Sequence, residues 1–418
     1  MQLSPKPTLQ TRRLADAATL AHAPEVPRAI HSWFGRLSDT GHTSHLIGEC
    51  VLQLALGLRP GHYRAHSPIS RDSLLSLAPR AVPTRIEPAT VTIPTTAGPL
   101  DIVTNRGLEE TQLEVQSAPF AVLALALDPL RGEVIALDQT LSDIASRTLN
   151  PSPNARNPGD DGFALEAARL IAVYGLSPTS SLLDAARKHP IEAMPGHPPA
   201  QRQRLRELLL APGVRAGLSF LRDSGAEAAL VPGVRPDAAA IVAGVPAELR
   251  IRFCAWLQGA SAKGLLRGLR FGGEFSSDLY RLLEYHPIDQ WVVPGRGARL
   301  RRMLKRLSQS EIADLLLLRR AEARVLLEST RPEDAEALLH RLDRLEQRLA
   351  QAREQAHRLR GRTPLSISGR EIMQILASGP GPEIGRAIRF LERTIADDPE
   401  ANTKESLSRA LKHRQNAR

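Results

Sequence analysis

The sequence of 418 residues is short of aromatic and cysteine side chains and has no long apolar run. Aromatic residues make up 4% of the chain, so its core must be built mainly from aliphatic residues, of which Leu and Ala favour helix. Cys50 and Cys254 are too few for a disulfide framework or a cysteine-based zinc cluster, and they fit a reducing cytoplasm. No stretch reaches the roughly 18 apolar residues of a membrane span. The N-terminus lacks the apolar segment of a secretory signal, so we expect a cytoplasmic protein with no membrane partner.

Positive charge is in excess. The formal net charge is +10 and the isoelectric point is about 10.2. Such an excess predicts a polyanionic partner, with nucleic acid as the first candidate and an anionic membrane surface as the second. An Arg-rich composition without any such partner is the alternative.

The residue pattern divides the chain into a mixed first part and a helical second part. Residues 1–25 are polar and predict a loose arm, whereas short strand-like and helical segments alternate up to about residue 150. Examples are the strand-like segments 90–95 and 100–104. Residues 150–160 are dense in Pro, Asn and Gly, which is typical of a boundary loop.

A heptad pattern runs through residues 333–360. Its apolar positions alternate by four and three, at Leu338, Leu342, Leu345, Leu349, Ala352, Ala356 and Leu359. The pattern predicts one long helix. That helix either packs antiparallel against a neighbour in the same chain or forms a coiled coil with another subunit.

Several motifs in the second half resemble one family. Residues 364–373 read PLSISGREIM, residues 379–386 read GPGPEIGR and residues 402–405 read NTKE; further upstream, residues 312–323 read IADLLLLRRAEA. This order of motifs resembles the class II tRNA nucleotidyltransferases, or CCA-adding enzymes, and the bacterial poly(A) polymerases. Within the motifs, Ser368 is expected to cap a helix and Pro382 to begin one.

The resemblance implies an α+β fold, in which a nucleotidyltransferase-like mixed α/β head precedes an all-helical neck, body and tail. The expected boundaries are 26–150 for the head, 151–195 for the neck, 196–298 for the body and 299–418 for the tail. The heptad helix 333–360 lies in the tail.

The head resembles the family in a degenerate form. The family's paired glycines fall on Gly48 and Glu49, and its two metal-binding aspartates fall on His62 and Arg64. In the neck, Ala164 replaces the arginine that reads the incoming base. The positions that remain recognisable predict a vestigial nucleotide site, and they are Gly48, Asp101, Arg106 and Asp161.

These replacements bear directly on catalysis. Nucleotidyl transfer depends on magnesium held between carboxylates and the triphosphate. Histidine is a poor ligand for Mg²⁺, and the guanidinium of Arg64 repels a cation. The sequence therefore predicts no catalytic residue, no metal site and no cofactor, with Mg²⁺ expected only if the chain is active after all.

Two other interpretations of the altered site remain open. Arg64 could stand in electrostatically for the lost metal, although a point charge lacks the bridging geometry of an ion. Histidines at residues 42, 45, 62 and 66 could bind zinc if their segments converge, or they could simply be scattered loop residues.

A basic stretch in the tail is the candidate RNA-binding surface, because clustered Arg and Lys side chains neutralise backbone phosphates. Its members are Arg296, Arg299, Arg301, Arg302, Lys305, Arg306, Arg319 and Arg320. The alternative is a solvated helix face that is paired with Glu311, Asp314 and Glu322.

Three functions follow from these patterns. The leading hypothesis is a catalytically inactive nucleotidyltransferase-like protein that binds tRNA or a tRNA-like RNA. The second is a residual or altered nucleotidyltransferase that acts on RNA 3′ ends. The third is a structural partner of an active paralogue, with contact through the helix from Leu338 to Leu359.

Overall fold

The polypeptide divides into two units in the computed structural model, which describes residues 9–13, 25–84, 89–153, 162–188, 198–291, 297–328, 332–360 and 365–416. The first unit comprises Met1–Ala239 and Gly259–Phe271, and the second comprises Ala240–Gln258 and Gly272–Arg418.

An eight-stranded sheet forms the core of the first unit, in the order β1-β8-β7-β2-β3-β6-β5-β4. Its strands are β1 (Leu9–Arg13), β2 (His45–Ile47), β3 (Tyr63–His66), β4 (Val82–Pro83), β5 (Thr90–Ile93), β6 (Leu100–Val103), β7 (Leu125–Asp128) and β8 (Glu133–Leu137). The pair β3–β6 is parallel and the other neighbouring pairs are antiparallel. A separate parallel pair joins β9 (Thr148–Leu149) to β10 (Ser177–Pro178).

Helices make up nearly all the regular structure after β8. In chain order they are α1 (Arg28–Asp39), α2 (Glu49–Ala55), α3 (Arg71–Leu77), α4 (Leu108–Ser117), α5 (Thr140–Ala145), α6 (Phe163–Tyr174), α7 (Ser180–Lys188), α8 (Pro198–Leu210), α9 (Val214–Asp223), α10 (Ala226–Leu230), α11 (Ala238–Ala243), α12 (Leu249–Trp256), α13 (Ala262–Gly268), α14 (Gly273–Tyr285), α15 (Gly297–Arg306), α16 (Gln309–Leu327), α17 (Pro332–Arg360), α18 (Gly369–Leu376), α19 (Pro382–Asp397) and α20 (Lys404–Asn416). This arrangement confirms the predicted α+β class. No helix in the described part of the chain is long and apolar enough to cross a membrane.

Helix α6 is the centre of the helical layer in the first unit and packs against α8 and α9. Gly217 on α9 permits this contact, because a Cβ atom there would lie 2.6 Å from the Ala168 carbonyl oxygen. Most of α6 is buried, including Leu165, Leu170 and Ile171. Its position is therefore tightly fixed, and so are the polar side chains that it carries.

Strands β1, β3, β4, β9 and β10 were not predicted from the sequence. Residues 1–25 were expected to form a loose arm, but β1 pairs with β8 from Leu9 opposite Leu137 to Arg13 opposite Glu133. That expectation is wrong for residues 9–13, because backbone hydrogen bonds to a sheet edge hold a segment that has no apolar alternation. Strand β3 does have a local signal, since the exposed Arg64 lies between buried neighbours.

In the second unit, α17 packs along α16, and its heptad leucines Leu338, Leu342, Leu345 and Leu349 are buried. Helix α16 of the same chain thus packs against the predicted apolar seam. Helices α18, α19 and α20 pack around a separate small core. As expected, Ser368 caps α18, in a capping box with Glu371, and Pro382 begins α19.

Candidate functional site

A cavity of about 740 Å³ opens in the first unit beside the central strands. It lies where the turn between β2 and α2, the residues around the start of β3, and helices α6 and α8 meet. Glu49, Gln53, His62, Arg64 and Arg169 are among its lining residues. The fold therefore brings Gly48, Glu49, His62 and Arg64 to one place, and these are the positions that the resemblance assigns to the glycine pair and the metal ligands.

The turn from β2 into α2 has the conformation that glycine favours. Gly48 has a φ of 67° and Glu49 is the first residue of α2. A side chain at Gly48 would be strained in this region of backbone space. Glu49 therefore projects a carboxylate from the start of the helix into the cavity.

Glu49 is held by a salt-bridge cluster that was not predicted. Arg169 on α6 binds it with two contacts, from Nη1 to Oε1 at 2.8 Å and from Nη2 to Oε2 at 2.9 Å. The same guanidinium contacts Glu166 and, at 3.0 Å, Glu207 on α8. The Tyr174 hydroxyl donates to Glu49, and burial together with this carboxylate raises the pKa of Tyr174.

Arg169, the central cation of this cluster, is buried. The Arg169 side chain is only 5% exposed and contacts both oxygens of Glu166, and Arg204 Nε also contacts Oε2 of Glu166, at 2.9 Å. Burial opposes the ionisation of Glu166, but the two arginines prevail and lower its pKa. The cluster therefore joins two arginines and three glutamates across α2, α6 and α8.

His62 precedes β3 and contacts Asp101 on the neighbouring parallel strand β6. His62 Nε2 lies 2.9 Å from Asp101 Oδ2, and the Thr92 hydroxyl donates to Oδ1 at 2.6 Å. The hydrogen bond to Asp101 raises the pKa of His62, and the same bond lowers the pKa of Asp101. Both oxygens of Asp101 are therefore occupied.

Arg64 contacts a second carboxylate, that of Glu114 on α4. Arg64 Nη1 lies 2.7 Å from Oε1, and Nε2 of the buried His66 lies 2.9 Å from Oε2. His66 Nδ1 is 3.1 Å from the Thr111 hydroxyl. Burial raises the pKa of Glu114, but His66 and Arg64 outweigh burial and leave it below the ordinary value.

The residues of this site do not fit a magnesium ion. Glu49, Asp101 and Glu114 each have both oxygens in contact with a protein donor or cation, so none offers an open pair of ligands. Over the described ranges, no group of three or more His, Cys, Asp and Glu side chains could hold a metal ion, which includes the four histidines considered for zinc. Only His45 and His66 of that set lie opposite each other, on β2 and β3.

The remaining members of the predicted vestigial site are not all brought together. Asp101 contacts His62 but does not line the cavity itself, and Arg106, which follows β6, does not line it either. Asp161 lies outside the described residues. The sequence pattern also missed Arg169, Glu166 and Glu207. The signal available was an arginine and a glutamate within the mostly apolar helix α6.

The predicted RNA-binding residues fall into two groups. Helix α15 carries the first group, which consists of Arg299, Arg301, Arg302, Lys305 and Arg306. The side chains of Arg302, Lys305 and Arg306 are exposed. Arg296 lies outside the described residues.

The second group lies on α16 and has acidic partners. Arg319 contacts Asp289 at 2.8 Å and also Glu322, and Arg320 contacts Asp343 at 2.8 Å and Glu346 at 3.1 Å. The contact of either group with RNA stays a prediction.

Another basic surface, not predicted from the sequence, lies on α19 and α20. It is a cleft of about 300 Å³ lined by Arg386, Arg389, Phe390, Arg393 and Arg414, which we call the tail arginine cleft. Its residues are scattered between positions 386 and 414 and converge only after the helices have packed.

Models of known protein families and curated protein sequences give no match to this chain. Solved structures do match this chain. They define a nucleotidyltransferase fold with a sheet-based N-terminal part and a helical remainder.

The neighbours are CCA-adding enzymes. A CCA-adding enzyme in complex with CTP has a TM-score of 0.63 and 13% identity, with 97% of this chain and 99% of that chain covered. The Bacillus stearothermophilus CCA-adding enzyme with CTP has a TM-score of 0.59 and 15% identity over 94% and 99% of the two chains. The Thermotoga maritima enzyme, complexed with tRNA, has a TM-score of 0.59 and 13% identity over 96% and 98%. The chain therefore has the CCA-adding enzyme fold along nearly its whole length.

Proposed function

We propose that this protein is a non-catalytic relative of the tRNA nucleotidyltransferases, and that it binds RNA of the tRNA or tRNA-like class. The observation that carries the proposal is the occupation of the two metal positions by His62 and Arg64, each joined to a carboxylate of the same site. The fold supports the RNA partner, because its neighbours include a CCA-adding enzyme complexed with tRNA. The net charge of +10 supports a polyanion as well.

The electrostatics of the cavity support the loss of catalysis. A triphosphate needs cations that are free to bind it, but Arg64 and Arg169 are already paired with carboxylates. Glu49 places a further negative charge at the turn where the family has glycine, and a carboxylate there repels a phosphate. Nucleotidyl transfer requires open metal ligands, and the described residues of the cavity offer none, although the exposed Arg206 also lines it and adds a positive charge.

Catalysis is tested by incubating the protein with radiolabelled ATP or CTP, Mg²⁺ and tRNA that lacks its 3′ end. We expect no incorporation above the background of a protein-free reaction. Incorporation that needs Mg²⁺ and disappears in Glu49→Ala or Asp101→Asn, but not in a control with the exposed Arg71→Ala, would establish the residual-enzyme alternative instead.

RNA binding is tested by titrating labelled tRNA with the protein over a range of salt concentrations. A protein that neutralises phosphates loses affinity as salt rises, with a slope of about −0.7 to −0.9 per phosphate in a plot of log K against log salt. A flat slope would count against the proposal. The third hypothesis is a partner subunit of an active paralogue. It would be favoured if the protein binds no RNA and light scattering shows a complex with that paralogue.

A further inference from the structure

The tail arginine cleft is built on one face of α19. Arg386, Arg389 and Arg393 follow each other by three and four residues, so they lie on the same side of the helix. The opposite side is buried, with Leu391 fully inaccessible and Ala387 at 4% exposure. Packing of that buried side against the small core of α18–α20 fixes the direction of the arginine row.

Helix α20 completes the cleft with a fourth arginine. Arg414 donates from Nη1 to the Arg386 carbonyl oxygen at 3.1 Å, and its guanidinium carbon lies 4.6 Å from the centre of the Phe390 ring. These two contacts hold a planar cation against an aromatic ring. The cleft therefore combines a row of charges with a flat, partly buried platform.

The arginines of this cleft have no ion pair within the described parts of the chain, although Glu383 and Glu392 are exposed on the same helix. Arg319 and Arg320 of α16, by contrast, each contact two carboxylates. Four guanidinium groups around about 300 Å³ repel one another, and an anion with several oxygens relieves that repulsion.

We propose that the tail arginine cleft binds an unpaired segment of RNA, with its phosphates on Arg386, Arg389 and Arg393 and one base stacked on the platform of Arg414 and Phe390. Guanidinium groups bind phosphate through two parallel hydrogen bonds, and unstacked bases pack on aromatic rings or arginine planes. A lipid surface or an acidic peptide would use the charges but not the platform. The inference rests on the proposed RNA-binding function and assigns a place and an RNA conformation to it.

The test uses the full-length chain with Arg386, Arg389 and Arg393 all changed to Glu. The matched control reverses three other exposed arginines of the same unit, Arg348→Glu, Arg370→Glu and Arg409→Glu, so that both variants have the same net charge. Each protein is titrated with labelled tRNA and with an unstructured oligonucleotide at several salt concentrations. Circular dichroism confirms that each variant is folded.

We expect the cleft variant to bind both RNAs at least about tenfold more weakly than the control, with a salt slope smaller by about two to three phosphate contacts. A second variant, Phe390→Leu, keeps the apolar packing and removes only the ring. This variant should bind the oligonucleotide about fivefold or more weakly than the wild-type protein does. Its salt slope should be unchanged, because base stacking is not ionic.

The outcomes separate this inference from the function on which it rests. If the wild-type protein binds no RNA, the proposed function fails and the inference with it. If the wild-type protein binds RNA but the cleft variant equals the control, only the cleft is refuted. Stronger binding to vesicles rich in phosphatidylserine than to RNA, lost in the cleft variant, would overturn the RNA assignment in favour of a membrane surface.

Discussion

Replacing Arg169 by methionine should destabilise the first unit far more than the loss of one surface ion pair would. The methionine side chain fills similar space, but it leaves Glu49, Glu166 and Glu207 without the cation that they share. Removing one partner of a fully buried charge cluster costs about 3–5 kcal/mol. Arg169 is 5% exposed, but Arg204 still contacts Glu166, and solvent screens Glu49 and Glu207, which are 36% and 39% exposed. We therefore expect a loss at the lower end of that range.

The assay is urea denaturation followed by circular dichroism, with the free energy of unfolding compared between variants. Arg204→Met is the matched control, because Arg204 contacts only Glu166 in this cluster and is 34% exposed. We expect the free energy of unfolding of Arg204→Met to fall by less than about 1 kcal/mol, as it does when an ordinary surface ion pair is lost.

The pH dependence gives a second check. Burial opposes ionisation of Glu166, but Arg169 and Arg204 lower its pKa in the folded protein. A carboxylate with a lowered pKa stabilises the fold above its unfolded pKa of about 4.3, and this stabilisation is lost as the pH falls through the folded pKa. The difference in the free energy of unfolding between wild type and Arg169→Met should therefore become smaller below about pH 4. A loss under about 1 kcal/mol at pH 7, or a gap that is constant with pH, would refute the reasoning.

Three further results are expected. In an NMR titration, the pKa of His62 should be above the ordinary value of about 6.5 and should fall in Asp101→Asn; no change would exclude the contact between them. Gly217→Ala should lower the free energy of unfolding by about 1–3 kcal/mol, since its Cβ would lie 2.6 Å from the Ala168 carbonyl oxygen, and an unchanged urea midpoint would contradict the packing. Leu342→Ala, at a fully buried position, should cost about 2–5 kcal/mol without changing the mass measured by light scattering. A change of mass there would assign the heptad seam to a contact between subunits.

Local patterns were enough to predict the elements that form from neighbouring residues. Ser368 and Pro382 mark helix starts, and the leucine seam of α17 is buried as its spacing indicated. Strand β1 could not be predicted in the same way, because its partner β8 is far along the chain and supplies the backbone hydrogen bonds that hold it.

The contacts within the site could not be predicted from the sequence. The assignment of His62 and Arg64 to the metal positions rests on family motifs alone, whereas their contacts with Asp101 and Glu114 became apparent only when β6 and α4 were placed. The tail arginine cleft shows the same limit, since a continuous basic stretch is visible in a sequence and a convergent one is not.

The pairing of Glu49 with Arg169, which are 120 positions apart, has an evolutionary consequence. A change of Glu49 to glycine alone would deprive the arginine of its two-contact partner, and an aspartate alone at residue 62 or 64 would lie against Asp101 or Glu114. Single substitutions at these positions are thus unfavourable by themselves, and only concerted changes in distant parts of the gene would avoid the cost.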